Sequence, residues 1–290
     1  MKRILIVLLS VIFVAIILVL VLDSIRQVQS FKLCNLIQNG DTEQALTYIP
    51  AILDVNAYTA SPTKVNRWVH AVLDISITTP LIEACRVGDD DVVISLLAHG
   101  ADPNKYVDGG RSPIEAASIS KSKNRVSIVE ALINNGANVN LCGSGNTALF
   151  NELLYFMHSD DRSEETVFAV EQVLYLLLNN GASAVDNKNN TIIHYLSYAG
   201  DISLLTRYLE QFPYMVNQQN DRGATPIIWA INGNSSEAVA TLLKYGADTS
   251  LKDYSDLTAM DYAKKSQNES IIELLEGQGD GSLVPTDEAE

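Results

Sequence analysis

The sequence predicts an all-α protein, in which one apolar N-terminal helix precedes a solenoid of about six to seven helix-turn-helix units. Three observations predict this architecture. A short phrase that opens with Thr or Ser returns about every 33 residues from position 79 onward. Four of the units close on an apolar run followed by Gly-Ala and a polar residue. Residues 4–22 form an apolar run that contains no charged residue.

Each phrase predicts the start of a helix. The Thr or Ser hydroxyl accepts a hydrogen bond from an unpaired N–H of the first turn, and Pro fits the first helical position because no N–H is needed there. The closing glycine predicts the end of a second helix, since it adopts the left-handed conformation at little steric cost. The phrases are Thr79-Pro80-Leu81, Ser112-Pro113-Ile114, Thr147-Ala148-Leu149, Thr191-Ile192-Ile193, Thr225-Pro226-Ile227 and Thr258-Ala259-Met260.

The apolar run predicts a membrane-spanning helix of about 28 Å, close to the thickness of a bilayer's hydrocarbon layer. A cleavable signal peptide is the alternative, but Leu22 runs directly into Asp23 without a small-x-small cleavage site. Lys2 and Arg3 precede the run, which favours a cytoplasmic N-terminus. We therefore expect a single-pass protein, with the repeats in the periplasm if the membrane is a bacterial inner membrane. The short cytoplasmic stub favours a bacterium over a eukaryotic lumen or exterior.

Composition narrows the class of partner. The formal net charge of −15 argues against nucleic acid and against anionic lipid surfaces, and it favours a basic or neutral protein. Cys34 and Cys85 fall in first-helix segments, so we expect buried thiols, and with Cys142 they form no disulfide framework. The sequence contains no nucleophile with its base, no phosphate loop and no metal-ligand spacing. We expect a binding module, not an enzyme, with no cofactor, metal or small-molecule substrate.

The opening and closing phrases resemble the ankyrin repeat, which opens on Thr-Pro-Leu-His and closes on Gly-Ala-Asp. The resemblance covers about residues 30–276. It implies that His194, in the His position of the opening phrase, forms hydrogen bonds between neighbouring units. The expected domains are 1–24 as cytoplasmic stub and transmembrane anchor, 25–76 as a degenerate capping repeat with an insertion, 77–276 as the repeat array and 277–290 as a disordered acidic tail.

Several segments depart from the repeat pattern. Residues 56–76 exceed what a repeat loop needs, and Trp68 predicts an extra short helix there. The acidic insertion at residues 157–167 is expected to be either a solvated loop or a binding lobe. Residues 211–217 replace the Gly-Ala close, so the geometry of that finger loop stays open, although Pro213 still ends the helix.

The resemblance also implies a concave binding surface, formed by the first helices and the finger loops. The fifth position of each first helix faces outward on this surface, and here that column reads Glu83, Ala116, Asn151, Tyr195, Trp229 and Tyr262. We expect Tyr155 and Tyr198, one helical turn away, to extend the aromatic patch. Tyr106, Arg222 and Tyr254 on the fingers are expected rim contacts. Alternatively, the rings cover each other, or the register differs by one residue and they lie in the core.

These features predict a membrane-anchored protein that binds another protein, of unknown identity, through exposed aromatic side chains. Bacterial ankyrin-repeat proteins with an export or anchor segment include inhibitors or immunity partners of secreted toxins and lipases, and others support periplasmic stress-defence enzymes. The resemblance therefore implies an immunity or inhibitor role. A periplasmic scaffold and a eukaryotic endomembrane adaptor remain as alternatives.

Overall fold

The computed structural model describes residues 2–59, 78–106, 110–143 and 145–277, with side chains from residue 11 onward. This part of the chain is helical and contains no β-strand, only an isolated antiparallel bridge between Val185 and Thr191. The chain divides into two compact units. Unit 1 comprises residues 1–148 and 179–181, and unit 2 comprises residues 149–178 and 182–290. The predicted helix at Trp68 and the acidic tail beyond Gly277 lie outside the described residues.

Unit 1 stacks its helices as pairs. Its helices are α1 (Lys2–Gln38), α2 (Thr42–Tyr48), α3 (Pro80–Val87), α4 (Asp90–Ala98), α5 (Pro113–Ser118) and α6 (Arg125–Asn134), with a 3₁₀ turn at Ile49–Ala51. The first helices α1, α3 and α5 pack in succession, and the second helices α2, α4 and α6 pack in a parallel row behind them. The stack buries the apolar face that no helix pair could bury alone.

Unit 2 repeats this arrangement. Its helices are α7 (Ala148–His158, apart from its first residue), α8 (Glu164–Asn179), α9 (Ile192–Ala199), α10 (Ile202–Gln211), α11 (Pro226–Asn232), α12 (Ser236–Lys244), α13 (Ala259–Ser266) and α14 (Glu269–Gly277), with a 3₁₀ turn at Pro213–Met215. The first helices α9, α11 and α13 pack side by side, as do the second helices α10, α12 and α14. The predicted helix-turn-helix array is confirmed.

The opening phrases stand at the starts of helices as predicted, but two of them, Thr147 and Thr225, have buried hydroxyls without a hydrogen-bond partner among the described residues. The hydroxyls of Thr79, Ser112, Thr191 and Thr258 each accept a hydrogen bond from a backbone N–H of the first turn. Thr225 precedes α11 but makes no such bond, and its buried hydroxyl has no hydrogen-bond partner among the described residues. Helix α11 therefore depends on Pro226 and on packing for its start.

Helix α1 joins the predicted membrane span to the first repeat without a break. Its apolar side chains from Val11 to Val21 are exposed, whereas Ser30, Leu33, Cys34 and Ile37 are buried in unit 1. Ser30 donates to the carbonyl of Ala57 at 2.7 Å. The expected boundary at residue 24 thus falls inside one continuous helix, because no helix-breaking residue separates the span from the capping repeat.

The stretch from Val11 to Gln38 is the one described helix that is long and apolar enough to cross a membrane. Its mean hydropathy reaches 2.4, and no part of its most apolar window is buried against the rest of the chain. A signal sequence has the same length and composition. By length and composition, this stretch is compatible with a membrane anchor and with a signal sequence.

The acidic insertion lengthens two helices and forms little loop. Helix α7 extends to His158 and α8 begins at Glu164, so only five residues connect them. The hydroxyl of Ser163 accepts from the N–H of Thr166, and Glu164 and Glu165 lie in the first turn, where the helix dipole favours negative charge. The loop expected over residues 157–167 is therefore confined to residues 159–163, since local capping converts the second half of the insertion into helix.

An asparagine on each of several fingers ties neighbouring repeats together. The Asn104 side chain donates to the carbonyl of Gly136 at 2.9 Å and accepts from the N–H of Asn138 at 2.7 Å. Asn56 and Asn217 make the same pair of bonds to the repeats that follow them. Asn217 thereby preserves the finger geometry in the repeat that lacks Gly-Ala, and the 3₁₀ turn at Pro213–Met215 replaces the glycine.

We expect Asn104→Ala to lower the free energy of unfolding by about 1–2 kcal/mol, because two hydrogen bonds between repeats are lost. Urea titration of the detergent-solubilised full chain, followed by far-ultraviolet circular dichroism, measures the change. Asn135→Ala is the matched control, since among the described residues that side chain bonds only to Ala131 of its own helix. Equal losses in the two variants would contradict a role in joining repeats.

Two of the three cysteines are buried, as predicted. Cys34 and Cys85 are buried free thiols, and Cys142 is exposed. Burial raises the pKa of both buried thiols far above the ordinary value, so neither is a thiolate at neutral pH.

Candidate functional site

An open groove of about 820 Å³ runs along the inner side of unit 2. Its wall is formed by side chains of the first helices α7, α9, α11 and α13, and its rim by the finger loops that precede α9, α11 and α13. We call it the aromatic groove because it is lined by the rings of Tyr195, Tyr198, Trp229, Tyr254 and Tyr262.

The three fingers at this rim are built alike. Asp186, Asn220 and Asp253 each accept, through one side-chain oxygen, the backbone N–H groups two and four residues later. Each also closes the turn with a backbone hydrogen bond from its own N–H to the carbonyl four residues later. Asn220 further donates to the side-chain oxygen of Asn190 at 2.7 Å. These Asx turns fix the fingers beside the helices.

Two of the aromatic rings brace the fingers. The Tyr195 hydroxyl donates to Asp186 at 2.8 Å, and the Tyr262 hydroxyl donates to Asp253 at 2.6 Å. Burial, together with the hydrogen bond to Asp186, raises the pKa of Tyr195, and the bond to Asp253 raises that of Tyr262. Both hydroxyls therefore stay protonated and keep donating at neutral pH.

The prediction that Tyr195 faces solvent is wrong. Its side chain is only 5% exposed, because it packs between Phe150 and Trp229 with ring centroids 5.3 Å from each. It nevertheless lines the groove. Glu83 and Ala116, in the same column of unit 1, are also buried. The alternative in which neighbouring rings cover each other therefore applies to Tyr195.

Trp229 occupies the centre of the ring cluster. Its ring lies edge-on to His194 at 5.5 Å and to Tyr198 at 6.3 Å, in addition to its contact with Tyr195. Trp229, Tyr198 and Tyr262 are half-buried, so each presents part of its surface to the groove. Tyr254, on the last finger, is 76% exposed. The groove thus offers apolar contact area on Trp229 and Tyr198, whose rings other rings hold in place, and on the exposed ring of Tyr254.

His194 lies beneath this cluster and holds neighbouring repeats together. Its Nδ1 accepts from the N–H of Thr191 at 3.0 Å, so the proton sits on Nε2, which donates to the carbonyl of Ala224 at 3.0 Å. Burial lowers the pKa of His194 to about 4. The imidazole is therefore neutral at pH 7, and the role implied for it between repeats agrees with the structure.

The charged side chains at the rim differ in whether they bond to other residues of the chain. Asp253 is held by its finger and by Tyr262, and Asp221 accepts from the Asn189 amide. Lys188 and Arg222 are exposed, and neither forms an ion pair within the described part of the chain. Two cations thus remain available beside the rings.

The structure brings six of the eight predicted binding residues to this one groove, namely Tyr195, Tyr198, Trp229, Tyr262, Arg222 and Tyr254. Tyr155 is half-buried on α7 and does not line it. Tyr106 belongs to unit 1, where its carbonyl accepts from the Tyr58 hydroxyl.

Sequence reasoning missed the apolar part of the wall. Leu154, Met157 and Ile228 line the groove together with Asn232. Helical spacing shows only that these residues lie on the inner side of their helices. It does not distinguish residues that line the groove from residues that are buried in the core. The sequence does contain a signal for the contacts between rings and fingers. An Asp or Asn stands nine residues before each of Tyr195, Trp229 and Tyr262.

Comparison with known families gives three matches to the model described as "Ankyrin repeats", at residues 57–142, 142–253 and 193–281. Among curated proteins, the chain is 27% identical over 201 residues to the putative ankyrin repeat protein YahD of Escherichia coli K12, covering 68% of this chain and 94% of that protein. It is also 39% identical over 56 residues to the human DNA-binding protein RFXANK. The match covers 19% of this chain, and the chain spans only 22% of that relative's length.

Among solved structures, the fold is similar to a chain of the complex between the predatory endopeptidase Bd0816 of Bdellovibrio bacteriovorus and the immunity protein Bd3460. The TM-score is 0.57 at 22% identity, and the match covers 68% of this chain and 97% of the other. At this identity the likeness shows the fold alone.

Proposed function

Because the chain belongs to the ankyrin-repeat family, whose repeats are protein–protein interaction modules, we propose that it is a membrane-anchored protein that binds a protein partner in the aromatic groove. One observation carries the proposal. Six residues selected from a repeat column, its neighbouring turn and the fingers line a single groove of about 820 Å³. A groove of that size accommodates several side chains of a partner.

The chemistry of the groove supports a protein ligand. Tyr198 and Trp229 expose rings that are held by neighbouring rings, so a partner gains contact area for little loss of conformational entropy, and Tyr254 adds an exposed ring on the last finger. Hydrogen-bonding groups of the fingers surround these rings, as in interfaces with an apolar centre and a polar rim. Tyr195 and Tyr262 contribute by holding the fingers in place.

Helix α1 supplies the anchor in this proposal. The helix continues from the apolar run into the buried positions of the first repeat, so the repeats stand directly on the span. Tethering raises the effective concentration of the groove near the membrane, and even modest affinity then captures a partner there. Lys2 and Arg3 favour an outward-facing array, in the periplasm of a bacterium.

We propose inhibition of, or immunity to, a secreted toxin or lipase as the biological role. A chain of similar fold occurs in a complex of an endopeptidase with an immunity protein, which supports such a use of this fold. Deleting the gene should sensitise cells to the toxin that the protein neutralises. Unchanged sensitivity, together with loss of activity of a resident enzyme, would instead favour a scaffold role.

Binding is tested by a pocket variant of the full chain, Tyr198→Ala with Tyr254→Ala, purified in detergent from native cells. We expect co-purifying partners to be lost and affinity for a purified partner to fall at least a hundredfold, because hot-spot aromatics each contribute about 2 kcal/mol or more. Mass spectrometry and isothermal titration calorimetry measure the two effects.

Tyr175→Ala with Tyr214→Ala is the matched control, since these tyrosines are 57% and 69% exposed and lie outside the groove. Far-ultraviolet circular dichroism verifies that all variants are folded. A partner retained by the pocket variant would move the binding site away from the aromatic groove, and a partner lost equally in both variants would indicate a nonspecific aromatic effect.

A further inference from the structure

A second groove, of about 500 Å³, lies in unit 1 between the first helices α3 and α5, beside the C-terminal end of α1. Ile82, Val87 and Ile119 supply apolar contacts along it. None of the eight predicted binding residues lines this groove. The kind of ligand that this groove binds therefore depends on its own side chains.

The groove carries an excess of positive charge. Its lining residues include three cations, Arg86, Arg111 and Lys121, and a single carboxylate, Glu83. The whole chain has 20 Lys and Arg against 35 Asp and Glu. This groove thus reverses the charge balance of the protein, and a concave site with an excess of one charge attracts ligands of the opposite charge.

Two of these cations have no counter-charge among the described residues. The Arg86 guanidinium is held by Glu83, with nitrogen-to-oxygen distances of 2.7 and 2.8 Å. Arg111 and Lys121 are exposed and make no ion pair or side-chain hydrogen bond with the residues described in this structure. Glu83 is 4% exposed, so its charge is shielded from the groove by its partner.

The serine hydroxyls of the groove are already committed. Ser120 donates to the carbonyl of Arg86 at 3.2 Å, and Ser122 donates to the carbonyl of Gly88 at 3.0 Å. The groups left to bind a ligand are therefore the charged heads of Arg111 and Lys121, above an apolar floor. Arginine pairs with carboxylate in a planar, two-bond geometry, and lysine adds a second charged donor.

From this charge pattern we infer that the groove, here named the basic groove, binds an acidic peptide segment of a protein partner. Carboxylates of the segment pair with Arg111 and Lys121, and an apolar side chain beside them packs on the floor. The negative charges elsewhere on the chain oppose such a ligand only weakly at physiological ionic strength, since the screening length is about 8 Å. The inference holds whether or not the aromatic groove binds a partner.

A peptide fits this groove better than a lipid headgroup. Gln38, at the end of α1, lines the groove, and the apolar run ends at Leu22. Sixteen helical residues span about 24 Å, whereas the headgroup layer on one side of a bilayer is only about 5–8 Å thick. With α1 as the anchor, the groove stands beyond the headgroups.

The test uses the full chain in detergent and three fluorescein-labelled decapeptides of alternating Leu and Glu, Leu and Gln, or Leu and Lys. Fluorescence anisotropy at 0.15 M NaCl measures binding. We expect the Glu peptide to bind at least tenfold more tightly than the other two. Arg111→Gln with Lys121→Gln should weaken its binding about tenfold, the sum expected for two ion pairs at a partly exposed site.

Lys123→Gln with Lys244→Gln is the control, because it removes the same charge at exposed positions outside the groove. Three results would overturn the inference: equal affinity for the Glu and Lys peptides, an equal loss in the control variant, or displacement of the Glu peptide by micromolar glycerol phosphate. The last result would assign the groove to a phosphate headgroup. Urea titration of each variant verifies that its fold is unchanged.

Discussion

Replacing Val14 and Leu18 by arginine should release the protein from membranes. Both side chains are exposed, by 64% and 57%, and they lie four residues apart on one face of the apolar part of α1. An arginine near the centre of a spanning helix costs about 2.5–3.5 kcal/mol for insertion, so the pair costs about 5–7 kcal/mol. Carbonate extraction of membranes, followed by immunoblotting, measures the fraction that stays inserted.

The double variant Ile94→Arg with Tyr175→Arg controls for added charge, since both residues are exposed in the repeats. It should remain in the carbonate-resistant pellet with the wild type. Mass spectrometry of the wild-type N-terminus separates the two interpretations of the span. A chain that begins near residue 1 supports the anchor, whereas a mature chain that begins after the apolar run would contradict it and indicate a signal peptide.

Acidification should destabilise unit 2 through His194. Burial holds its folded-state pKa at about 4, below the value of about 6.5 expected in the unfolded chain. Between these two values the unfolded state binds a proton that the folded state does not. Stability is therefore fully present above about pH 6.5 and is lost as the pH falls toward 4, by on the order of 3 kcal/mol. The proton would also oppose the bond that Nδ1 accepts from Thr191.

Urea unfolding of the full chain at pH 7 and pH 4.5, followed by far-ultraviolet circular dichroism, measures this loss. His194→Gln is less stable at pH 7 but should lack the His194 part of the pH dependence. His99→Gln should keep it, because His99 is exposed and bonds only within its own helix. If wild type and His194→Gln lost the same free energy on acidification, His194 would not be the group responsible.

Local sequence signals were sufficient for the helices. Thr79, Ser112, Thr191 and Thr258 cap their helices because the capping group and the bonded N–H lie three residues apart, within one turn. Gly100 reaches a φ of 85° at the end of α4, as the closing phrase predicts. The repeat phrase, the helix pairs and the burial of Cys34 and Cys85 could all be predicted in this way.

The exposure of the ring column could not be predicted from the sequence. Tyr195, Trp229 and Tyr262 occupy the same repeat position, yet Tyr195 is buried between Phe150 and Trp229 while the other two reach the groove. Each ring's exposure depends on the side chains of the repeats before and after it, and a periodic pattern does not specify their volumes. For the same reason, the apolar wall of the aromatic groove could not be predicted from the sequence.

The sequence by itself determined the class of fold, the number and order of repeats and the apolar run, because capping, periodicity and hydrophobicity are properties of neighbouring residues. The tertiary structure alone decided that α1 runs unbroken into the first repeat and that the acidic insertion is mostly helix. It also decided that Arg111 and Lys121 share a groove with Arg86. That juxtaposition joins residues of successive repeats, so it exists only once the repeats have stacked.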